Sequence, residues 1–162
     1  MDKSDVVAVA RGQQMELRKF LASDWPWVEK WFQDAQLDRE LGPMGTDWLD
    51  AVLAERNGVQ LVATVETKPV ALIGCVWGDA EHPSHYITDI AVDPDLREQG
   101  IASRALHLVS DWPGHPPTAK WTAFVASRNI PAQGLLRKSL WSHAGSSDGM
   151  LKFEKSATRP TS

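Results

Sequence analysis

The chain has 162 residues, of which 43% are hydrophobic and 23% charged, and its formal net charge is -4. This composition is ordinary for one globular domain, and it excludes a chain that is mainly disordered, collagenous or coiled-coil. No run of Lys or Arg is present to release counterions from phosphates, so nucleic acid is not an expected partner. The single cysteine, Cys75, excludes an internal disulfide and fits the cytoplasm, which is the compartment we expect.

The two ends of the chain differ from its centre. Residues 1–13 have no basic region before an apolar core, so we expect a flexible arm rather than a secretory signal. Residues 14–155 are expected to form one domain, and the polar residues 156–162 a disordered tail. The longest apolar run, 70–77, is far shorter than the ~20 residues of a membrane span, and no membrane is expected as a partner.

The first third of the chain predicts one strand and two helices. Met15 to Phe20 is the predicted strand. Ser23 or Asp24 then predicts a helix cap, with Pro26 in the first turn. After a break at 42–45, a second helix is predicted from Thr46 or Asp47 to 57–58. Apolar residues recur at helical spacing in the first of these helices: Trp27, Val28, Trp31 and Phe32.

The remainder alternates between strand and helix patterns. Strands are predicted at 59–65, 70–77, 85–92, 121–125 and 150–154, and the first two form a hairpin through 67–69. Helices are predicted at 100–112 and 129–139, the first with an inward face of Ile101, Ala105, Leu108 and Val109. The order β-α-α-β-β-β-α-β-α-β predicts an α/β fold with a mixed sheet, because it contains both hairpins and a helical crossover.

One stretch, from Ile87 to Ala102, joins a strand to a helix through a loop that ends in a glycine. The first N–H groups of a helix lack internal partners and lie at the positive end of its dipole, so they suit a pyrophosphate. Gly100 lets the backbone come close to a ligand, and Arg97 can form a charged fork with a phosphate. The stretch therefore predicts a phosphate site at the start of this helix.

The same residues resemble the Gcn5-related N-acetyltransferase (GNAT) family. Its members carry Arg or Gln, two residues, Gly, one residue and then Gly or Ala, directly after a Val-x-Pro strand end. Here the pattern is Arg97-Glu98-Gln99-Gly100-Ile101-Ala102 after Val92-Asp93-Pro94. Downstream, 129–141 is similar to the family's Asn-x-x-Ala and Leu-Tyr-x-Lys-x-Gly-Phe helix, with matches at Asn129, Ala132, Leu135 and Lys138 and with Trp141 for the Phe. The resemblance covers residues 14–155, and 85–141 carries its specific motifs.

The resemblance implies a GNAT-like fold and a CoA site. The fold is a mixed sheet of six to seven strands with about four helices, splayed between its two central parallel strands. Acetyl-CoA is the implied donor. Its pyrophosphate would lie on the backbone of Arg97, Glu98, Gln99, Gly100, Ile101, Ala102 and Ser103. Its pantetheine arm would pair with Ile90, Ala91 and Val92 as an added strand, and Asn129 would bind that arm or cap its own helix.

The implied function is an acetyl-CoA-dependent N-acetyltransferase that acts on a primary amine of a small molecule or of a protein N-terminus. Dimers are common among members of the family, so a homodimer is a further implied partner. Two positions depart from the family pattern. Leu136 replaces the tyrosine that often protonates the leaving thiolate, and Phe124 stands where many members carry Glu. Asp89 is then the nearest carboxylate able to act as a base, although strand alternation could equally turn it away from the cleft.

Two other functions remain open. Leu136 and Phe124 are also consistent with a non-catalytic acyl-CoA-binding module. Gly145-Ser146-Ser147-Asp148-Gly149 matches the Gly-x-Ser-x-Gly pattern of serine hydrolases, but a strand rather than a helix is predicted after it. The five His residues show no metal-ligand spacing, and no metal is expected. Tyr86, the one tyrosine, falls early on the predicted CoA strand and is a candidate to line the cleft.

Overall fold

A computed structural model describes residues 14–157, and its centre is a seven-stranded sheet. The strand order is β1-β2-β3-β4-β5-β7-β6. Its strands are β1 (Met15–Lys19), β2 (Gly58–Val65), β3 (Lys68–Val76), β4 (His85–Val92), β5 (Lys120–Ala126), β6 (Ser142–Ser147) and β7 (Met150–Ser156). The pair β4–β5 is parallel, and the other neighbours in this sheet are antiparallel. The predicted mixed α/β sheet with two central parallel strands is therefore confirmed.

Five α-helices cover this sheet in the described part of the chain. They are α1 (Trp25–Trp31), α2 (Ala35–Leu41), α3 (Thr46–Ala54), α4 (Ile101–Val109) and α5 (Ile130–Lys138). Short 3-10 turns stand at Ala22–Asp24 and Pro94–Leu96. Neither α2 nor β6 was among the predicted elements. The reason is that α2 buries Leu37 alone and β6 buries nothing, so neither carries the apolar periodicity on which such a prediction depends.

The two faces of the sheet have separate cores. Helices α4 and α5 cover one face, which we call the α4–α5 face, around fully buried side chains such as Leu61, Ile73, Trp121 and Phe153. Helices α1 to α3 cover part of the opposite face, which we call the α1–α3 face, over Val62, Leu72 and Ala91. Trp27, Trp31 and Trp48 lie in or against this second core.

Most predicted boundaries agree with the structure to within three residues. β4 covers the predicted 85–92, and the β2–β3 turn is Glu66-Thr67, one residue before the predicted position. Helix α4 ends at Val109, three residues early, because 110–115 form a turn instead. β7 reaches Ser156, so the sheet extends one residue beyond the predicted domain end. The predicted arm 1–13 and the tail from 158 onward lie outside the described residues.

Asp24 connects α1 to β1. It precedes α1 as predicted, but its carboxylate does not cap that helix. It instead accepts two hydrogen bonds from the Arg18 guanidinium, at 2.8 and 2.7 Å, and one from Trp27 Nε1 at 2.9 Å. Burial raises the pKa of Asp24, but the bonds from Arg18, Leu21 and Trp27 outweigh burial and hold that pKa below its ordinary value. The first helix is thus fixed to the edge strand of the sheet.

Candidate functional site

The central parallel strands separate after three rungs. Within the described residues, β4 and β5 pair only at His85↔Trp121, Tyr86↔Thr122 and Ile87↔Ala123. Beyond this point β4 stays paired with β3 as far as Val92, and β5 stays paired with β7 as far as Ala126. The facing edges of Thr88–Val92 and Phe124–Ala126 therefore border an opening in the sheet. Backbone N–H and C=O groups on such edges can bind an extended ligand.

A β-bulge at the start of this opening decides the direction of Asp89. On β3, Gly74 pairs with Asp89 and Cys75 pairs with Ile87, so Thr88 is an extra residue in β4. Ile87 faces the α4–α5 core. Strict alternation would place Asp89 on that same face, but the bulge turns it to the α1–α3 face. There its carboxylate accepts a hydrogen bond from Gln60. Gln60 also lies on the α1–α3 face, because its neighbours Val59 and Leu61 both face the α4–α5 core.

The Asp89 carboxylate is held by named donors in a partly buried position. Gln60 Nε2 donates to Oδ2 at 3.1 Å, and Thr88 Oγ1 donates to Oδ1 at 2.9 Å. Burial raises the pKa of Asp89, and the bonds from Gln60, Thr88 and the Gly74 backbone oppose that rise. A Cβ at position 74 would lie 2.2 Å from Asp89 Oδ1, so the carboxylate occupies space that only glycine leaves open. A partly buried carboxylate with a raised pKa can accept a proton.

The predicted phosphate turn follows β4 directly. Asp93 accepts a hydrogen bond from the Asp95 N–H at 3.0 Å and so caps the Pro94–Leu96 turn. Glu98 is exposed and has a φ of 63°, and Gly100 has a φ of 77°. Gly100 has no side chain to cap α4, and a Cβ added there would meet nothing within 4 Å. No side chain at position 100 therefore blocks access to the first amides of α4, at Ile101, Ala102 and Ser103.

Arg97 does not point into open space in this structure. Its guanidinium donates to Asp34 Oδ1 at 3.1 Å and also to Asp34 Oδ2, which makes a two-pronged ion pair. Asp34 is the residue before α2, where it also accepts from the Gln36 and Leu37 N–H groups. The Arg97 hydrogen bonds are the largest cause that lowers the pKa of Asp34 to about 2. The pair joins the phosphate turn to the α1–α3 helices, a contact with no signal in the sequence because its partners are 63 residues apart.

Helix α5 follows β5, the strand on the other side of the opening. Asn129 Oδ1 accepts from the Ala132 N–H at 3.2 Å, so its side chain caps α5. Gln133 is buried, and its Nε2 donates to the Ser127 carbonyl at 2.9 Å and the Ala126 carbonyl at 3.3 Å. Leu136 is buried in the α4–α5 core. Gln133 was missed by the sequence reasoning, since a single glutamine in a helix carries no pattern.

Neither a hydrolase elbow nor a metal cluster is present in residues 14–157. Ser147 lies at the end of β6, and the Asp148–Gly149 turn leads into β7 rather than into a helix. The strand-turn-helix context that a nucleophilic serine elbow needs is therefore lacking. No three His, Cys, Asp or Glu side chains in this range are grouped to hold a metal ion. No helix in it is both long and apolar enough to cross a bilayer.

Comparison with known proteins agrees with this architecture. The model of the Acetyltransferase (GNAT) family matches residues 16–140, and the chain therefore belongs to the GNAT acetyltransferase family. None of the curated proteins compared with it matches. Since membership implies acyltransferase chemistry, the opening between β4 and β5 and the turn that follows β4 define the candidate active site.

Solved structures with low sequence identity share the fold. An acetyltransferase from Thermus thermophilus is 14% identical with a TM-score of 0.75, covering 88% of this chain and 97% of its own. An aminoglycoside N(6')acetyltransferase from Legionella pneumophila is 16% identical with a TM-score of 0.71, covering 90% and 93%. The ribosomal-protein-S18-alanine N-acetyltransferase from Escherichia coli is 16% identical with a TM-score of 0.69, covering 91% and 97%.

Proposed function

We propose that the protein is an acetyl-CoA-dependent N-acetyltransferase whose acceptor is a primary amine of a small molecule or of a protein N-terminus. The observation that carries this proposal is the opening between β4 and β5, which leads directly to the start of α4. Structurally similar proteins act on both kinds of amine, as the names of the aminoglycoside and ribosomal-protein enzymes state. We also expect the protein to act in the cytoplasm.

The residues around the opening suit CoA. The unpaired edge of Ile90, Ala91 and Val92 offers backbone groups to an extended arm. The turn from Arg97 to Ser103 offers amide donors to a pyrophosphate, with open space above Gly100. Gln99, between Arg97 and Gly100 in this turn, has its Oε1 buried without a hydrogen-bond partner within residues 14–157, which leaves that acceptor unsatisfied. Bound acetyl-CoA would supply the acetyl group as a thioester.

Asp89 is the proposed proton acceptor. An amine attacks a carbonyl carbon only in its neutral form, so a proton must leave the ammonium before or during the attack. Asp89 lies two residues past the last β4–β5 rung, and its raised pKa makes it a better proton acceptor than an ordinary aspartate. Leu136 has no proton to donate, and its burial in the core leaves the thiolate to be protonated by water. Positioning of the two substrates would then supply most of the rate acceleration.

The test combines CoA binding with turnover. CoA should raise the melting temperature, and acetyl-CoA with a panel of primary amines should release free thiol. Asp89→Asn should lower turnover and remove the low-pH limb of the kcat/KM profile, whereas the control Asp148→Asn, at an exposed turn, should change neither. An unchanged Asp89→Asn profile would exclude the base role.

A non-catalytic acyl-CoA-binding module is the second candidate. Its support is Leu136, which stands where family members often carry a proton-donating tyrosine and is buried in the α4–α5 core. Tight CoA binding with no thiol release on any amine would establish this alternative. Failure of CoA to raise the melting temperature would contradict both functions, because each requires that the folded state bind CoA.

A further inference from the structure

Three apolar side chains form a row across the sheet beside the opening. Val76 pairs with Tyr86 across β3 and β4, and the rings of Tyr86 and Phe124 are nearly parallel, with centroids 6.1 Å apart and planes 11° apart. Along its strand, each of the three residues is next to a residue of the α4–α5 core: Cys75, Ile87 or Ala123. They therefore all lie on the α1–α3 face. We call the ring pair of Tyr86 and Phe124, together with Val76 beside Tyr86, the aromatic row.

The aromatic row is not covered by the helices of its own face. Helices α1 to α3 pack over Val62, Leu72 and Ala91, on other parts of that face. Phe124 is 46% exposed and Val76 is 37% exposed, although both lie in central strands of the sheet. Adjacent exposed apolar side chains on a sheet face, next to a cleft, are typical of a ligand surface.

The row lies next to the site of the proposed transfer. Tyr86 is on the second of the three β4–β5 rungs, and Phe124 is the first residue of β5 after the last rung. Asp89 is on the same face, three residues along β4 from Tyr86. At ~3.3 Å per residue, the two Cα atoms are about 10 Å apart or less. A ring with a short alkylamine arm can bridge that span.

Opposite charges on the two sides of Phe124 give the bound amine a direction. Lys152 on β7 pairs directly with Phe124 and so lies on the same face. Asp89 is on β4, across the opening from Phe124, and its carboxylate lies over Gly74 of β3 beside Gln60. A protonated amine is repelled by a lysine and attracted by a carboxylate. The amine of a ligand stacked on the row would therefore point toward Asp89 and the opening.

We propose that the aromatic row is the acceptor subsite and that the acceptor is a primary amine joined by a short arm to a planar aromatic ring. This proposal rests on the proposed function, since it places the amine beside the thioester that β4 and β5 would hold. Offset stacking on Tyr86 and Phe124 selects a planar ring over a puckered one of equal apolar size. The row thus narrows the acceptor from primary amines in general to arylalkylamines.

The experiment compares 2-phenylethylamine with 2-cyclohexylethylamine, which keeps the arm and loses planarity. Wild-type protein should acetylate 2-phenylethylamine with the lower KM. Phe124→Leu, which keeps apolar bulk, should raise that KM about five-fold, equivalent to about 1 kcal/mol, with kcat unchanged. The KM for 2-cyclohexylethylamine should stay nearly constant. Leu140→Ala is the matched control, because Leu140 is 80% exposed and lies after α5, outside the row.

The outcomes separate this inference from the function on which it rests. Equal KM values for the two amines in the wild type, or a Phe124→Leu effect equal for both, would refute the aromatic subsite while acetyl transfer stands. If no amine releases thiol, the transferase function fails, and saturation-transfer NMR of 2-phenylethylamine then decides the subsite. A signal that Phe124→Leu weakens and Leu140→Ala does not would support it, and no signal would refute it. Melting temperatures within a few degrees of the wild type establish that each variant is folded.

Discussion

Gly74→Ala tests the packing that holds the Asp89 carboxylate beside Gln60. The added methyl carbon would lie 2.2 Å from Asp89 Oδ1, 3.0 Å from Asp89 Cγ and 2.5 Å from Thr88 Oγ1. Non-bonded heavy atoms are most stable at about 3.5–4.0 Å. The Asp89 carboxylate must therefore move by roughly 1 Å, which disturbs its 3.1 Å hydrogen bond from the buried Gln60.

The expected cost follows from two opposing terms. Overpacking of a filled site costs about 1–3 kcal/mol. Replacing a strand glycine by alanine returns about 0.5–1 kcal/mol, because the unfolded chain loses freedom. The free energy of unfolding should therefore fall by about 1.2 kcal/mol, which for a chain of this size lowers the melting temperature by roughly 2.5–5 °C.

Urea unfolding of a double-mutant cycle measures whether the cost arises at Asp89. In an Asp89→Ala background the clashing carboxylate is absent and only the Thr88 Oγ1 contact remains, so Gly74→Ala should cost less than in the wild type, with a coupling energy of about 1 kcal/mol or more. Free energies that add to within about 0.5 kcal/mol would refute the reasoning. In the single Gly74→Ala variant, turnover should fall beyond the loss of folded protein, because the proposed base is displaced.

Three further predictions concern charged groups outside this pair. Asp24→Ala should lower the free energy of unfolding by about 2 kcal/mol in urea titrations, since it removes an acceptor shared by Arg18, Leu21 and Trp27; a change under about 0.5 kcal/mol would contradict this. Arg97→Glu should weaken CoA binding in calorimetry, whereas Asp34→Asn should strengthen it by releasing Arg97 for the phosphate; equal affinities in both variants would show that Arg97 does not bind the pyrophosphate. Burial lowers the pKa of His115, whose Nδ1 accepts from Trp77 Nε1 and whose Nε2 donates to Val109. Its contribution to stability is therefore complete above about pH 6.5, the ordinary His value, and is lost as the pH falls through the lowered pKa. His115→Gln should flatten the dependence of the urea midpoint on pH below 6.5, and an unchanged slope would exclude His115 as its source.

The element order could be predicted because local patterns carry it. The β-rich run at 85–92 and the amphipathic helix after Gly100 each have a period that one backbone geometry satisfies. Both elements are present, and β4 has the predicted boundaries. The resemblance to the GNAT family predicted, in addition, that the two central parallel strands separate. Elements with little burial, such as β6 and α2, left no such pattern and were missed.

The direction of Asp89 depended on tertiary pairing. From the sequence alone, alternation along β4 allowed either face. The bulge opposite Gly74 decided it, and a bulge depends on how two strands register against each other. The same holds for Arg97, which the turn motif assigned to a phosphate and which the fold pairs with Asp34, 63 residues away. Neither the Asp89–Gly74 pairing nor the Arg97–Asp34 ion pair could be predicted from the sequence, because long-range contacts leave no period in it.

Sequence alone therefore predicted the type of fold, the glycine-ended turn before α4 and the absence of a tyrosine at the usual proton-donor position. These are properties of short segments, where backbone geometry and residue type are coupled. Tertiary structure decided what lies on the α1–α3 face beside the opening: the Asp89 carboxylate over Gly74 and bonded to Gln60, and Tyr86 stacked on Phe124 from the neighbouring strand. Such a site is assembled from strands that are distant along the chain, so its geometry exists only once the sheet has formed.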